Sequence, residues 1–320
     1  MLRKFIRIAL FVGATTLALS VGAPAEAASK PLMIMASVPD MAFPFFVYMM
    51  KEIKAEANRL GDITVVESDG ERSSPKQSAD LEAAITEGVD GIIIDPNDYY
   101  ALAPALQEAI SAKIPVVTID RRARVPGILA HVSADNVTGG ETQGKLVMKL
   151  FPNGAKIMYL RGQPGATPAI ERSDGLHNIL DKAPEKYKFI FEDTALFDRA
   201  KGLSMTESAL AGMKSPPDVI VCANDDMALG ALVALKSRNL IGKVALIGFD
   251  ALPEALEQIK AGNLTATIEQ KPGGQSRRAV DILVAFLREG VKPREQVTQL
   301  APVAITKDNV EEAERIDEVK

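Results

Sequence analysis

Asp90-Gly91-Ile92-Ile93-Ile94-Asp95-Pro96-Asn97-Asp98-Tyr99-Tyr100-Ala101-Leu102 returns in altered form as Asp218-Val219-Ile220-Val221-Cys222-Ala223-Asn224-Asp225-Asp226-Met227-Ala228-Leu229. Each stretch is a short run of branched aliphatic residues, a polar residue, and then a segment rich in Ala and Leu. Unbroken apolar runs of this kind suit strands whose sheet is covered on both faces. Each stretch leads to a second apolar run that ends in Asp: 25 positions separate Asp95 from Asp120, and 26 separate Asn224 from Asp250. The echo predicts two similar α/β lobes, although generic alternation of strand and helix also produces it.

Outward from this pair the same alternation fills the chain. Strands are expected at 32–37, 63–67, 91–95, 116–120, 128–133, 156–161, 188–192, 219–222, 244–249 and 265–269. Helical patterns lie between them at 45–60, 78–87, 101–112, 139–150, 169–182, 200–213, 227–237, 253–261 and 274–288. Strand and helix in strict turn imply parallel sheets with helices on both faces. The 320 residues suit two domains at roughly 150 residues each.

Composition removes several classes. With 42 Asp+Glu against 37 Lys+Arg the net charge is −5 and there is no basic tract, so nucleic acid is not an expected partner. The two histidines, His131 and His177, and the single Cys222 leave little for a zinc site, and no disulfide can form within the chain. Cys222 lies inside an apolar run and reads as a core residue. No metal and no cofactor is expected.

Met1 to Ala27 has the pattern of a secretory signal: Arg3, Lys4 and Arg7, then an apolar stretch over Ile8–Val21, then Ala25-Glu26-Ala27. The apolar run is short for a membrane span, which takes about 20 residues. An exported protein cleaved near Ala27 is expected, periplasmic if the cell has an outer membrane.

The polar strand ends carry the functional reading. In open α/β sheets, ligands bind beyond the carboxyl ends of the strands. Asp95, Asp120-Arg121, Asn224 and Asp250 all stand there. Any one of them alone would serve as a helix cap. Four ends, two in each half, point instead to a site shared by both lobes. A carboxylate accepts two O–H bonds and a guanidinium fork donates two, so Asp120 with Arg121 suits neighbouring hydroxyls. Phe43, Phe45, Phe46 and Phe197 follow strands and could pack on the C–H face of a sugar ring, or simply fill the core. Gln270 ends the strand at 265–269 and can donate and accept at once.

Taken together, Pro44-Phe45-Phe46, Val117-Thr118-Ile119-Asp120-Arg121, Asp135-Asn136 with Gly139-Gly140, Glu171-Arg172, Phe197-Asp198-Arg199, Asn224-Asp225-Asp226-Met227-Ala228-Leu229-Gly230, Gly248-Phe249-Asp250 and Ala266-Thr267-Ile268-Glu269-Gln270 resemble the periplasmic ribose-binding protein family, the type I solute-binding proteins of sugar ABC transporters. The likeness runs from about Leu32 to Asn309. It implies two doubly wound parallel-sheet lobes joined by three crossover hinge strands. The crossovers would fall near Ala134-Asp135, Gln270-Lys271 and Gln299. The N-terminal lobe would comprise 28–134 with 271–298, and the C-terminal lobe 135–270 with 299–320. It also implies ring stacking by Phe45 and Phe46, and hydroxyl binding by Asp120 and Arg121. The second lobe would contribute Arg172, Phe197, Asn224 and Asp250, and the hinge Gln270. A sugar ligand, transient recognition by a membrane permease and a monomeric state follow from the same resemblance.

Two positions depart from that family. Phe43 stands where an Asn precedes Pro-Phe-Phe, and Asp95 where the strand would end in Asn. Both changes fall on the first lobe. An unpaired buried polar group costs about 1–3 kcal/mol, enough to change which sugar is preferred. Ribose, another pentose, a hexose, an amino sugar and a polyol all stay open.

Other functions fit less well. The nucleophile elbow and the paired-His zinc motif are absent. Gly139-Gly140-Glu141-Thr142-Gln143-Gly144-Lys145 has Leu146 where a phosphate loop needs Ser or Thr, and reads as helix surface. Asp225-Asp226 could serve a glycosidase, but adjacent carboxylates also suit a helix start. A sugar-responsive transcription factor would need a DNA-binding segment where the export signal stands. A chemoreceptor-presenting or small-signal binder would differ only in what reads the closed form.

Overall fold

The computed structural model describes residues 31–319; the expected export segment at 1–27 lies outside them. The first half runs β1 (Leu32–Val38), α1 (Pro44–Leu60), β2 (Ile63–Asp69), α2 (Ser74–Glu87), β3 (Gly91–Ile94), α3 (Ala103–Ser111), β4 (Val116–Ile119) and β5 (Ala130–Ala134). The second runs α4 (Asn136–Leu150), β6 (Ala155–Arg161), α5 (Thr167–Leu180), β7 (Tyr187–Thr194), α6 (Arg199–Gly212), β8 (Val219–Cys222), α7 (Asp225–Ser237), β9 (Ala245–Ile247), α8 (Pro253–Lys260) and β10 (Ala266–Glu269). Helix α9 (Pro272–Glu289) and the strands β11 (Val297–Leu300) and β12 (Val303–Thr306) complete it.

Two six-stranded sheets result, ordered β11-β5-β4-β3-β1-β2 and β12-β10-β9-β8-β6-β7. The orders superimpose strand for strand, so the two echoing stretches, β3 and β8, hold the same place in their sheets. β3, β4, β5 and β8 are buried throughout, and β3 and β8 are the unbroken apolar runs that such burial on both faces suits. The sheets differ at one edge: β11 joins β5 in parallel, whereas β12 joins β10 antiparallel.

The chain crosses between sheets three times. It leaves the first after Ala134, where Asp135 caps α4 by accepting from the Thr138 amide at 3.0 Å. It returns through Gln270 and Lys271, since α9 packs on β3, β4 and β5. It crosses last between Leu300 and Val303; Gln299 itself is still paired with Ser133 in the first sheet, so the third crossing lies beyond the expected position.

One expectation about surfaces is corrected. Gly139, Gly140 and Gly144 are not helix surface but buried faces of α4. A Cβ on Gly140 would stand 2.1 Å from the Arg172 carbonyl oxygen, and one on Gly175 2.1 Å from that of Val137. Glycine on both helices lets α4 and α5 approach closely, which sets the position of Arg172. The C-terminal acidic segment returns to the crossing at 270–272. Glu314 accepts from the Gly273 and Gly274 amides at 2.9 and 3.0 Å and from Arg277 at 2.9 Å. Its own amide donates to Glu269 at 3.0 Å. A carboxylate there both satisfies the free amides of α9 and complements its dipole.

Candidate functional site

The carboxyl ends of both sheets face each other across a cleft, and the rims are drawn together. Arg72 spans them, 3.3 Å from Asp40 on its own lobe and 3.1 Å from Asp198 on the other. The Tyr99 amide donates to the Gly165 carbonyl at 3.0 Å, and the Arg122 amide to Thr167 Oγ1 at 3.0 Å. Gln163 donates to the Asn97 carbonyl at 3.2 Å.

Behind these contacts lies a cavity with about 490 Å³ of empty space, part of it open to solvent. Phe43, Phe45, Phe46, Asp120 and Arg121 line it from the first lobe, and Arg172, Phe197, Asn224 and Asp250 from the second, with Gln270 at the crossing. Ten of the eleven residues expected at the site thus meet around one space. Asp95 does not line it: it lies wholly buried behind Asp120 and Arg121. Asp40, Arg72, Gln163, Leu196 and Asp226 line the cavity and were not anticipated. Arg72 follows the end of β2, a strand end that the sequence reading did not take up.

Phenyl rings and guanidinium groups alternate through the site. Arg121 lies 5.4 Å from the Phe46 ring centre and 5.8 Å from that of Phe197. Arg172 lies 5.8 Å from Phe197 and 3.7 Å from Phe249. Each ring face attracts the neighbouring cation and restricts its rotation. Phe45 and Phe46 are at once site residues and core residues, since both are buried in α1.

The second lobe holds its polar groups by direct bonds. Arg172 Nε donates to Asn136 at 2.9 Å, its Nη1 donates to the Ala223 carbonyl at 2.7 Å, and the same nitrogen stands 3.5 Å from Asp250. Gln270 donates to Asp250 at 2.6 Å. Asn224 caps α7, accepting from the Met227 amide at 3.0 Å, and donates to the Phe197 carbonyl at 3.2 Å. The capping and site roles of Asn224 are therefore compatible. Burial raises Asp250 well above the ordinary carboxylate range, with Arg172 opposing it. Burial lowers Arg172, against the pull of Asp250 and Asp120.

The first lobe is less complete. Both oxygens of Asp95, Oδ1 of Asp120 and Nε of Arg121 are buried with no protein partner. Asp120 also sits at φ 53°, as Asp250 sits at φ 114°, a backbone region that few residues other than glycine adopt.

Of the remaining chemistry-bearing residues only Asp226 reaches the cavity. Asp225 turns into the core, accepting from Thr267 at 2.8 Å and the Leu252 amide at 2.9 Å, while Asp226 pairs with Arg199 at 3.0 Å. The two carboxylates therefore do not flank one space. Cys222 is buried, and burial raises its thiol. Among the described residues no cluster of His, Cys, Asp and Glu could hold a metal, and no helix is long and apolar enough to cross a membrane.

Comparison with known proteins agrees with this geometry. The periplasmic binding protein domain family matches residues 34–291. The ribose import binding protein RbsB of Bacillus subtilis (strain 168) is 40% identical over 246 residues, 76% of this chain and 77% of its own. The ribose import binding protein of Escherichia coli (strain K12) is 32% identical over 277 residues, 86% and 90% of the two chains. The crystal structure of the Caulobacter myo-inositol binding protein, bound to myo-inositol, superimposes with a TM-score of 0.85 at 39% identity, covering 91% of this chain and 98% of that one.

Proposed function

Because this chain belongs to the periplasmic binding protein family, we propose that it captures a single-ring sugar or cyclic polyol between its lobes and delivers it to an ABC permease. Members of the family bind solutes and transform nothing, so no covalent step enters. The observation that carries the ligand class is the meeting of phenyl faces with two Asp–Arg sets, one from each lobe, around one space. Rings would pack the C–H faces, while the carboxylates and guanidiniums would take the hydroxyls.

The binding residues are then Phe43, Phe45, Phe46, Asp120, Arg121, Arg172, Phe197, Asn224, Asp250 and Gln270, with Asp95 supporting them. The lobes are 31–134 with 271–300, and 135–270 with 301–319. Since each lobe supplies part of the contact, ligand favours the closed arrangement by its differential affinity for it, and the permease reads that closed surface. The protein acts as a monomer in the periplasm after removal of its export segment. Myo-inositol and D-ribose are the first ligands to try, being those of similar proteins.

Titration calorimetry of the mature protein against pentoses, hexoses, amino sugars and polyols tests this, after a thermal-shift screen. A ligand at about 100 times its Kd adds roughly 2.7 kcal/mol to stability. One saturable ligand with unit stoichiometry supports the reading. No binding by any of them overturns it.

A further inference from the structure

The end of β3 carries a second acid that the cavity does not touch. Its backbone is fixed from two sides: the Asp95 amide donates to the Ser37 carbonyl at 2.9 Å, and Gln77 donates to the Asp95 carbonyl at 3.0 Å. Its backbone is therefore placed by β1 and α2, and its side chain lies outside the cavity lining. It is fully buried, and neither oxygen has a donor. The nearest cation, Arg121 Nε, lies 3.7 Å from Asp95 Oδ1, beyond hydrogen-bond reach, and 3.9 Å from Asp120 Oδ2. Arg121 directs its Nη1 to the Asn97 carbonyl at 3.2 Å. On this lobe one guanidinium thus serves two buried carboxyls. From the opposite lobe Arg172 acts on Asp120, but it is already committed to Asp250.

A buried carboxylate without donors is costly, and a neighbouring carboxylate adds to the cost. Of the two, Asp95 lies deeper and farther from any ligand. We propose that Asp95 is a positioning residue, a buried carboxylic acid whose O–H is donated to the Asp120 carboxylate and so aims Asp120 at the ligand. Burial first, and Asp120 second, push Asp95 well above the ordinary carboxylate range. The free Oδ1 of Asp120 supplies an acceptor. One proton on the pair leaves this lobe a single anion, matched by Arg121, and fixes which lone pairs of Asp120 point into the cavity. The inference rests on the sugar-binding reading only for what Asp120 then holds.

The test uses the intact protein with Asp95→Asn and Asp95→Ala. Asn keeps a donor of similar shape and cannot ionise; Ala removes the donor. In the infrared difference spectrum of ligand-free wild type minus Asp95→Asn at neutral pH, the carbonyl band of a protonated carboxyl is expected. Loss of an ionised carboxylate band instead would overturn the proposal, whether or not any sugar binds. With myo-inositol and D-ribose as calorimetric probes, Asp95→Ala is expected to weaken binding about tenfold or more, and Asp95→Asn to recover to within about threefold of wild type. Asp95→Asn as weak as Asp95→Ala would mean that the negative charge itself is needed, and would also overturn it. If wild type binds neither probe, its ligand is to be sought among the other sugars and polyols, and the spectrum still decides the state of Asp95.

Discussion

Asp120 and Asp250 stand at the ends of β4 and β9, strands in the same position in the two sheets, and both hold a positive φ. Their surroundings differ. Asp250 is gripped by Gln270 at 2.6 Å and faces Arg172 at 3.5 Å, and Arg172 is itself bonded to Asn136 and Ala223. Asp120 has no such grip: its nearest cation, Arg121 Nε, is 3.9 Å away and itself without a hydrogen-bond partner, and its Oδ1 is left to the proton assigned to Asp95. The second lobe presents a finished polar surface; the first keeps polar capacity in reserve. On the proposed reading a ligand docks on the prepared half and completes the other. Preparation lowers the ordering cost of binding, and unmet groups sharpen discrimination, because a ligand that fails to satisfy them leaves them buried and unpaired.

The sharpest way to break this comparison is to remove one cation from each side. Arg172→Ala is expected to abolish measurable binding, by about 100-fold or more, and to cost about 3–5 kcal/mol of stability by leaving Asp250 unbalanced. Arg121→Ala is expected to weaken binding at least about tenfold, near 1.4 kcal/mol, with a smaller loss of stability than Arg172→Ala. Denaturant unfolding and calorimetry of both variants measure the difference. Equal stability losses would mean the two halves are equally prepared. Asn224→Ala removes the α7 cap and a site amide together, so about 1 kcal/mol of stability should go with the lost affinity. Arg72→Ala cuts a partly exposed ion pair between the rims, worth about 0–1 kcal/mol, and should weaken binding only a few-fold by favouring the open form.

The smallest expected effect belongs to the second lobe alone. His177 is held between Glu192 at 3.2 Å and Asp181 at 3.1 Å, and these bonds, that with Glu192 first, raise its pKa. A raised folded value means the protonated form is the one stabilised. Its contribution is fully present below about 6.5 and disappears as pH rises through the folded value. Solvent screening keeps it below about 1 kcal/mol. Unfolding wild type and His177→Ala near pH 5.5 and pH 8.5 should give a larger gap between them at the lower pH. A gap that grows with pH would refute the assignment.

Much of this architecture was legible because it is written in apolar runs. β8 matches its expected limits, and the other nine expected strands differ by at most two residues at either end. Seven of the nine helices were read as starting late, most of all α2, which begins at Ser74 rather than 78, and α4, at Asn136 rather than 139, whereas α3 was read as starting two residues early. The first turns of α2 and α4 are polar and packed against caps, so they show no periodicity, although Ser73 and Asp135 are ordinary capping residues. β11 and β12 escaped as strands because their burial alternates or is partial, which leaves short sequences with no clear apolar run. At the site, strand ends pointed to Asp120, Arg121, Asn224 and Asp250. The depth of Asp95 was not legible, because which of two adjacent acids faces the cavity depends on how β3 and β4 stagger. The contact of Arg72 with Asp198, 126 positions away, depends on lobe closure and leaves no local trace.

The segment around Glu314 lies where the chain passes from β10 to α9, tied by its carboxylate to the first turn of α9, with Arg315 stacked 4.2 Å over the Tyr48 ring. A pivot turns through a large angle while travelling a short distance. A fluorophore attached along 310–319 would therefore report lobe motion through anisotropy and local polarity, and a distance ruler placed there would barely change. The same ruler strung between Arg72 and Asp198, at the far rim, would register the full swing.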